Sequence, residues 1–395
     1  MQESLQISPR KRLGRRIVLV AIPCFAAIIL IALVFAPFLP RLLREGAPQT
    51  RWPANGHHVV VKGTIDASAS SATIVPDVLQ RSKALFDERG GHALLIWQGG
   101  ELRGQHFAAG ADAGTRFNSF SMVKSLVGAL VLRARADGLI GDLEDPIGDY
   151  LPTLGDAALR QVPIAQFLTM RSGVALEAVD PKSEQESELK PVETYEFNPF
   201  GPLARLHMNG LQALEADLRS DPSAVGQYNY QNVYTAVLGE LVATVYNQPL
   251  EGVLSKLIWR PSGAGDAHWR VSGQGQPVTA YCCLYATPGD WVKVGVYLMQ
   301  NGLAEAPFLP QDLWDDYFGK TLTNDQRSAG HYGYHVFHNV LDRQGEGLQG
   351  PFTYMMGRGG QMTYMMPDKD LVVVRFGDGY PLLHSTLYGA SDTFQ

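Results

Sequence analysis

The stretch SFSMVKSLVG, residues 119–128, places one lysine inside an otherwise apolar helical pattern. The residues that follow Lys124 include Leu126, Val127, Ala129, Leu130 and Val131. This pattern predicts a helix whose side chains face a core. Ser121 lies three residues before Lys124, so the two share a helix face. If the helix begins at Ser121, its free backbone N–H groups and its dipole favour a negatively charged oxygen there.

This spacing predicts a nucleophile with its own base. Desolvation favours the neutral amine of a buried lysine, and a neutral amine can accept the proton of a neighbouring hydroxyl. The structural alternative is that Ser121 caps the helix while Lys124 snorkels to the surface. Two other Ser-x-x-Lys pairs, Ser8–Lys11 and Ser187–Lys190, lie in charged segments without a following apolar helix, and neither is a candidate.

A tyrosine and an asparagine form the second candidate element. In GQYNYQNVYTAVLGELV, residues 226–242, Tyr230 and Asn232 stand where a polar stretch gives way to a helical pattern beginning at Val233. A phenol beside a lysine can relay a proton to a leaving group, and an asparagine can hold a substrate amide or the lysine. The alternative is a helix cap at Asn232 and a core position for Tyr230.

The third candidate element is a glycine turn before a strand, formed by Arg358, Gly359, Gly360 and Gln361. Glycines there allow a backbone or a ligand to approach closely. We expect the backbone N–H groups of Gln361 and Ser121 to form an oxyanion hole, and Arg358 to fix an anionic or carbonyl end of the substrate. The alternative is a β-bulge that carries a surface arginine.

Six segments in a fixed order resemble the serine β-lactamase and penicillin-binding-protein superfamily. They are most similar to the class C-like serine hydrolases, a group that includes esterases, D-amino-acid peptidases and 6-aminohexanoate-dimer hydrolase. The resemblance covers roughly residues 78–395 and implies an α/β lobe from both chain ends, an all-helical lobe, and a site between them. The segments are FNSFSMVKSLVG, DGLIGDLEDPIGDYLP, QFLTMRSGV, YNYQNVYTAVLGEL, ATPGDWVKVGVYLMQNG and GRGGQMTYMMPDKDLVVV.

The resemblance assigns roles to matching positions. It implies that Ser121 is the nucleophile, Lys124 its base, Tyr230 and Asn232 the tyrosine-asparagine element, and residues 358–360 the third motif. That motif usually begins with lysine or histidine. Arginine stays charged and cannot accept a hydrogen bond, which weighs against β-lactam turnover. No metal or organic cofactor is implied.

The first forty residues predict a membrane anchor. Residues 17–40 contain no charged residue, and roughly 20 apolar residues span a bilayer as a helix. The five basic residues before the segment predict that residues 1–16 are a cytoplasmic tail and that Arg41 onward lies on the periplasmic or extracellular side of a bacterial cytoplasmic membrane. The alternative, a cleaved signal peptide, is disfavoured by the long apolar region and by Pro37 after Ala36. The basic residues are Arg10, Lys11, Arg12, Arg15 and Arg16.

The remaining pattern predicts an α/β two-lobed domain. Residues 41–77 read as a linker that contains one short strand, HHVVVKG, and residues 78–395 as the folded domain, with a helical lobe at about 119–302. A hairpin around Gly99 and Gly100, and strands HYGYHVF, QMTYMM and LVVVRFG near the end, predict an antiparallel sheet built from both chain ends. A closing helix is expected in YPLLHSTLYG. The three cysteines, Cys24, Cys282 and Cys283, suggest neither a disulfide framework nor a metal site.

The sequence therefore predicts a membrane-anchored, exported serine hydrolase. It is expected to cleave small amides or esters through an acyl-enzyme on Ser121, and to contact inner-membrane lipid through residues 17–40. The net charge of −6 and the lack of a basic patch in the domain exclude nucleic acid as an expected partner. The alternatives are a non-hydrolytic penicillin-binding-type sensor and a true β-lactamase; a plain structural anchor protein is disfavoured by the three motifs together.

Overall fold

The computed structural model describes residues 34, 36–64, 86–87, 89–174, 176, 199–303, 305–341, 349–379, 384 and 387. The helices are α1 (Leu39–Glu45), α2 (Val123–Ala136), α3 (Ala157–Arg160), α4 (Ile164–Leu168), α5 (Pro202–Asn209), α6 (Asn232–Tyr246), α7 (Leu250–Leu254), α8 (Pro288–Met299), α9 (Gln311–Tyr317) and α10 (Asn324–Ser328). The strands are β1 (His58–Val61), β2 (Gly91–Gln98), β3 (Glu101–Phe107), β4 (Phe117–Asn118), β5 (Ala267–Arg270), β6 (Leu284–Ala286), β7 (Gly302–Leu303), β8 (Ala306–Pro307), β9 (His331–Gly333), β10 (Val336–Leu341), β11 (Gly350–Gly357), β12 (Gln361–Met366) and β13 (Leu371–Gly377).

The central sheet joins the two ends of the domain, as predicted. Seven antiparallel strands follow the order β3-β2-β13-β12-β11-β10-β9. The early hairpin, β2 and β3, pairs through β2 with the last strand, β13. Gly99 and Gly100, at the tip of that hairpin, have positive φ values of 58° and 89°, which a tight turn requires and glycine allows. The prediction of an antiparallel sheet from both chain ends is confirmed.

Both faces of this sheet are buried, which explains the nearly continuous apolar sequence of β13. Successive side chains of a strand point to opposite faces. Val372 and Val374 therefore enter the main core, while Leu371 and Val373 enter a second core on the other face. Helix α8 covers the main-core face, where a Cβ added at Gly295 would lie 2.9 Å from Val372 Cγ1. This glycine allows the helix to lie close to the strands.

The structure also contains a four-stranded sheet that the sequence did not predict. Its order is β1-β5-β6-β4, and β1 pairs with β5 in register from His58 opposite Arg270 to Val61 opposite Ala267. This pairing supplies the partner of the short strand expected in HHVVVKG. Strands β5 and β6 lie within the region expected to be a helical lobe at 119–302. They have only four and three residues, too few for a pattern of alternation to stand out.

The last residues of the predicted anchor, 17–40, and the described residues of the predicted linker, 41–77, pack on the domain. Ala36, Phe38 and Leu42 form a small core with Ala204 and Met208 of α5. At the end of α1, the carboxylate of Glu45 is buried and lies 2.6 Å from the guanidinium of Arg270. Residues 36–64 are thus part of the folded unit, whereas residues 65–77 lie outside the described part of the chain.

Two predicted helices fall largely outside the described residues. Of the expected anchor, residues 17–40, the structure describes only residue 34 and residues 36–40. Across the ranges that are described, no helix combines the length and apolar character needed to cross a membrane. The expected closing helix, residues 380–389, also lies outside these ranges except for His384 and Leu387.

Candidate active site

The site is built around the turn that precedes α2. Residues Phe120–Met122 form a 3-10 turn that continues directly into α2, so Ser121 stands at the start of the helical segment. Phe120 has a positive φ of 43°, an uncommon conformation for a non-glycine residue. The buried side chain of Asn118 accepts the Phe120 N–H at 2.8 Å, and its amide nitrogen donates to Gln49 O at 3.0 Å. These contacts fix the backbone just before Ser121.

Lys124 is buried beside Ser121. Lys124 is only 1% exposed. Its Nζ donates to Ser121 Oγ at 2.8 Å and to the backbone carbonyl of Tyr281 at 2.9 Å. The rings of Tyr230 and Tyr281 also lie 5.1 Å and 5.8 Å from Nζ. Because the amine is enclosed by these groups, it does not snorkel to the surface.

Tyr230 and Asn232 lie at the beginning of α6, as the sequence pattern suggested. Asn232 is the first residue of the helix and Gln231 is its N-cap, so the alternative in which Asn232 caps the helix is not observed. Tyr230 is partly exposed, and its ring packs edge-on against buried Tyr332 at 5.9 Å. The structure therefore brings the Tyr230 ring to the lysine amine and leaves part of it open to solvent.

The glycine motif forms the turn between β11 and β12. Gly359 and Gly360 have φ values of 80° and 74°, so this three-residue turn needs glycines for its conformation. A Cβ added at Gly357, where β11 ends, would clash with the carbonyl oxygen of Ser119. The turn is therefore in backbone contact with the segment that carries Ser121.

The side chains of this turn differ in what they can offer a substrate. Gln361 is fully buried: its amide nitrogen donates to Arg358 O at 2.9 Å and Gly377 O at 2.6 Å, and its amide oxygen accepts the Gly377 N–H at 3.0 Å. Its side chain thus braces the turn, and the predicted oxyanion role concerns its backbone N–H. Arg358 is exposed at the turn.

Arg375, which the sequence analysis did not select, supports the same turn from behind. It is fully buried and donates to the carbonyl of Gly360 at 2.5 Å and to that of Arg89 at 2.9 Å. Burial lowers the pKa of Arg375 to about 10, so the guanidinium stays charged near neutral pH. An arginine within the apolar strand LVVVRFG is the same kind of signal as Lys124 within its apolar helix, and it could have been found in that way.

His335 is a second residue that the sequence analysis missed. Its buried ring lies between α4 and α6, with Nδ1 at 3.1 Å from Leu168 O and Nε2 at 3.0 Å from Thr235 Oγ1. Burial, with a smaller contribution from the charge of Lys124, lowers the pKa of His335 to about 3, so the ring is neutral. Its backbone carbonyl accepts from Ser125 Oγ at 2.6 Å. His335 therefore connects α2 and α6, which carry Lys124 and Asn232. No sequence signal distinguishes it.

The arrangement joins a partly exposed hydroxyl, a buried amine and a glycine turn in one place. A hydroxyl hydrogen-bonded to an amine that can accept its proton is an activated nucleophile. Among the described residues, no group of three or more histidine, cysteine, aspartate or glutamate side chains is arranged to hold a metal ion.

Comparison with known proteins shows the family of this chain. A family model described as beta-lactamase matches residues 83–382, most of the chain. The chain belongs to the beta-lactamase family. The predicted superfamily is therefore confirmed.

One relative of this chain is the 6-aminohexanoate-dimer hydrolase of Paenarthrobacter ureafaciens. It is 27% identical over 282 residues, which cover 67% of this chain and 64% of the relative. The match thus spans less than two thirds of that protein's length.

Solved structures support the fold. A structure from Bacillus anthracis described as a candidate 6-aminohexanoate-dimer hydrolase has a TM-score of 0.66 and 18% identity, with 86% of this chain and 89% of that one covered. A penicillin binding protein from Bacillus halodurans has a TM-score of 0.57 and 15% identity, with 79% and 100% covered. A class C beta lactamase from Rhodobacter sphaeroides has a TM-score of 0.52 and 14% identity, with 80% and 98% covered.

The position of Arg375 leads to a testable prediction. Arg375→Met removes the donors that hold the Gly360 carbonyl, so the backbone N–H of Gln361 should lose its fixed direction. Removal of a whole oxyanion donor costs about 10²–10³ in kcat, and a displaced donor should cost less, on the order of tenfold, with little change in KM. Arg375→Lys keeps the charge and should retain more of the rate. Steady-state kinetics on folded variants, checked by thermal melting, measure this; a well-folded Arg375→Met protein with wild-type kcat would contradict it.

Proposed function

We propose that this protein is a serine hydrolase that cleaves small amides or esters through an acyl-enzyme on Ser121. The observation that carries the proposal is the 2.8 Å hydrogen bond from the buried amine of Lys124 to Ser121 Oγ. Membership of the beta-lactamase family supports the same class of enzyme. A residue that only capped the helix would not need a buried amine beside its hydroxyl.

The proposed reaction uses each element of the site once. Ser121 Oγ attacks the substrate carbonyl carbon while Lys124 takes the hydroxyl proton. The oxygen of the tetrahedral intermediate accepts hydrogen bonds from the backbone N–H groups of Ser121 and Gln361. Tyr230 then relays a proton to the leaving amine or alcohol as its bond to the carbonyl carbon breaks. Water hydrolyses the ester on Ser121 and regenerates the hydroxyl.

One relative and two polar residues of the site support the proposed substrate class. The relative that is 27% identical is named for the hydrolysis of a 6-aminohexanoate dimer, which supports a small amide as substrate. Asn232, at the start of α6, is suited to bind a substrate amide. Exposed Arg358, with Gly359 and Gly360, is suited to bind a carbonyl or anionic end, because guanidinium groups form charge-assisted hydrogen bonds with such oxygens.

We also propose that the protein is anchored in the cytoplasmic membrane with its domain on the outer side of that membrane. The support is the uncharged segment at 17–40 and its basic flank. Ala36 and Phe38 are buried against α5, so they belong to the domain rather than to a span. The 19 residues from Ile17 to Phe35 remain, and as a helix they would reach roughly 28 Å, close to the thickness of a bilayer core.

Lys124→Met separates catalysis from structure. Methionine is a helix former of similar length, so the fold should be kept while the proton acceptor is lost. We expect a fall in kcat/KM of roughly 10²–10⁴. Ser121→Ala should lose at least as much, and the double variant little more, because residues that act as a unit are not additive. The assay uses the full chain in detergent with p-nitrophenyl esters, amino-acid amides and nitrocefin, since residues 36–50 pack on the domain.

Arg358→Met is a useful companion variant, because it alters the mouth of the site without touching Ser121 or Lys124. It should change KM for anionic substrates more than kcat for neutral esters. Thermal melting accompanies each rate. Wild-type hydrolysis by a folded Lys124→Met protein would rule out the serine–lysine mechanism. Acylation by nitrocefin without turnover, and no hydrolysis of any substrate, would favour the sensor instead.

The proposed topology has its own test. Alkaline phosphatase fused after Pro53 should be active, because alkaline phosphatase folds only outside the cytoplasm. The fusion should also sediment with the membrane fraction, because the proposed anchor is retained. The matched control deletes residues 17–35 from the same fusion, which should then be inactive. An inactive full-length fusion would place the domain in the cytoplasm, and activity in the soluble periplasm would indicate a cleaved segment.

A further inference from the structure

The two cysteines of the domain are joined in the structure, which the sequence analysis did not anticipate. Cys282 and Cys283 are neighbours in the chain and form a disulfide with each other. Such a bond closes no loop of the chain, so it cannot stabilise the domain in the way that long-range disulfides do. Its effect must be local to the backbone between residues 281 and 284.

The backbone of this short segment makes hydrogen bonds to Lys124, the proposed base, and to Ser119, which precedes the proposed nucleophile. On one side of the disulfide, the Tyr281 carbonyl accepts from Lys124 Nζ at 2.9 Å. On the other side, the Leu284 carbonyl accepts the Ser119 N–H at 2.9 Å, and the Leu284 N–H donates to Ser119 Oγ at 3.2 Å. Ser119 lies two residues before Ser121. The disulfide therefore sits between the contact that orients the base and the contacts that orient the turn of the nucleophile.

The backbone at the disulfide has a conformation that needs support. Cys283 has a φ of 72°, in the left-handed region that residues other than glycine rarely adopt. This φ reverses the chain, so that the Tyr281 carbonyl faces Lys124 while Leu284 enters β6 beside β4. The Cys282 N–H donates to Thr279 O at 2.9 Å, and the Cys283 carbonyl accepts the Arg270 N–H at 3.1 Å. The Cys282 carbonyl also accepts from Trp269 Nε1 at 3.0 Å and from Thr279 Oγ1 at 3.1 Å. The disulfide adds a covalent ring to these hydrogen bonds.

We propose that the Cys282–Cys283 disulfide is a positioning element for Lys124 and Ser121, and that its reduction by a dithiol slows acylation. The proposal rests on the proposed hydrolase function. In the reduction, the disulfide accepts two electrons and two protons to give two thiols, while the dithiol is oxidised to its own disulfide. Cys282 is partly exposed, which gives a small dithiol access to the bond, whereas Cys283 is buried.

Once the ring is open, hydrogen bonds without the covalent ring must hold Cys283 in the left-handed region, and the Tyr281 carbonyl is expected to move away from Lys124 in part of the population. The free-energy cost of a left-handed non-glycine residue corresponds to a fall on the order of tenfold in the population of the backbone conformation that orients Lys124. We therefore expect kcat and the rate of Ser121 labelling by a fluorophosphonate to fall about tenfold on reduction, with a smaller change in KM. An oxidising compartment outside the cytoplasm would keep the bond, and thus the active arrangement, in place.

The test uses the full chain with Cys24→Ser, so that only the pair in the domain responds. Alkylation under denaturing conditions, followed by mass spectrometry, should find neither cysteine modified before treatment with dithiothreitol and both modified afterwards. Activity should fall on reduction and return after reoxidation with oxidised glutathione. Thermal melting in both states shows that the compared proteins are folded.

Two paired variants separate backbone positioning from loss of stability. Cys282→Ala with Cys283→Ala should work at the reduced rate and ignore dithiothreitol. Cys282→Ala with Cys283→Gly should be several-fold faster than the first variant, because glycine adopts a positive φ without strain. Equal rates in these two folded variants would overturn the proposal even if the reduced wild type proved too unstable to assay.

The remaining outcomes distinguish this inference from the proposed function. Alkylation of both cysteines in untreated protein would show that the disulfide is absent, and it would overturn the proposal. Equal labelling of Ser121 before and after a verified reduction would also overturn it, while leaving the hydrolase intact. Absence of labelling in both states would instead contradict the proposed function.

Discussion

The burial of one amine organises this site. An ammonium group that leaves water loses several kcal/mol of solvation unless nearby groups replace the water. At Lys124 the replacement consists of the Ser121 hydroxyl, the Tyr281 carbonyl and two tyrosine rings. These groups come from three different parts of the chain, so the need to satisfy this amine ties α2, the start of α6 and the segment before β6 to one another. The same environment keeps the amine in contact with the Ser121 hydroxyl.

The same principle recurs behind the glycine turn at residues 358–360. Arg375 is a second buried basic side chain, and it is satisfied by backbone carbonyls of the turn and of the segment before β2. Because β13 pairs with β2 and β12, this arginine joins the beginning and the end of the domain just where the glycine turn approaches Ser119. The two buried basic side chains therefore fix the two sides of the site, one at Ser121 and one at the glycine turn that faces it.

The sequence could predict those elements that have a regular apolar period or an unusual residue. The apolar helix around Lys124, the hairpin at Gly99 and Gly100, and strands β12 and β13 all have strong periodic or turn signals, and the structure has them. Short strands such as β5 and β6 have no such signal, because pairing with β1 and β4 rather than local preference creates them. His335 and the inward side chain of Gln361 could not be predicted either, since their roles depend on contacts between residues far apart in sequence. Arg375 was predictable, because a charged residue within an apolar strand pattern must find polar partners when it is buried.

The central claim, that Ser121 is the residue acylated, has a direct test. Trypsin cleaves after Arg116 and Lys124, so one peptide, FNSFSMVK, contains Ser121 together with Ser119. We would incubate the full chain with a slowly turned-over p-nitrophenyl ester, quench it in acid during the steady state, and map the acyl group by tandem mass spectrometry. The account predicts an acyl group on Ser121 of this peptide and none on Ser119. An acyl group on another residue, or hydrolysis that proceeds without any acylated peptide, would contradict it.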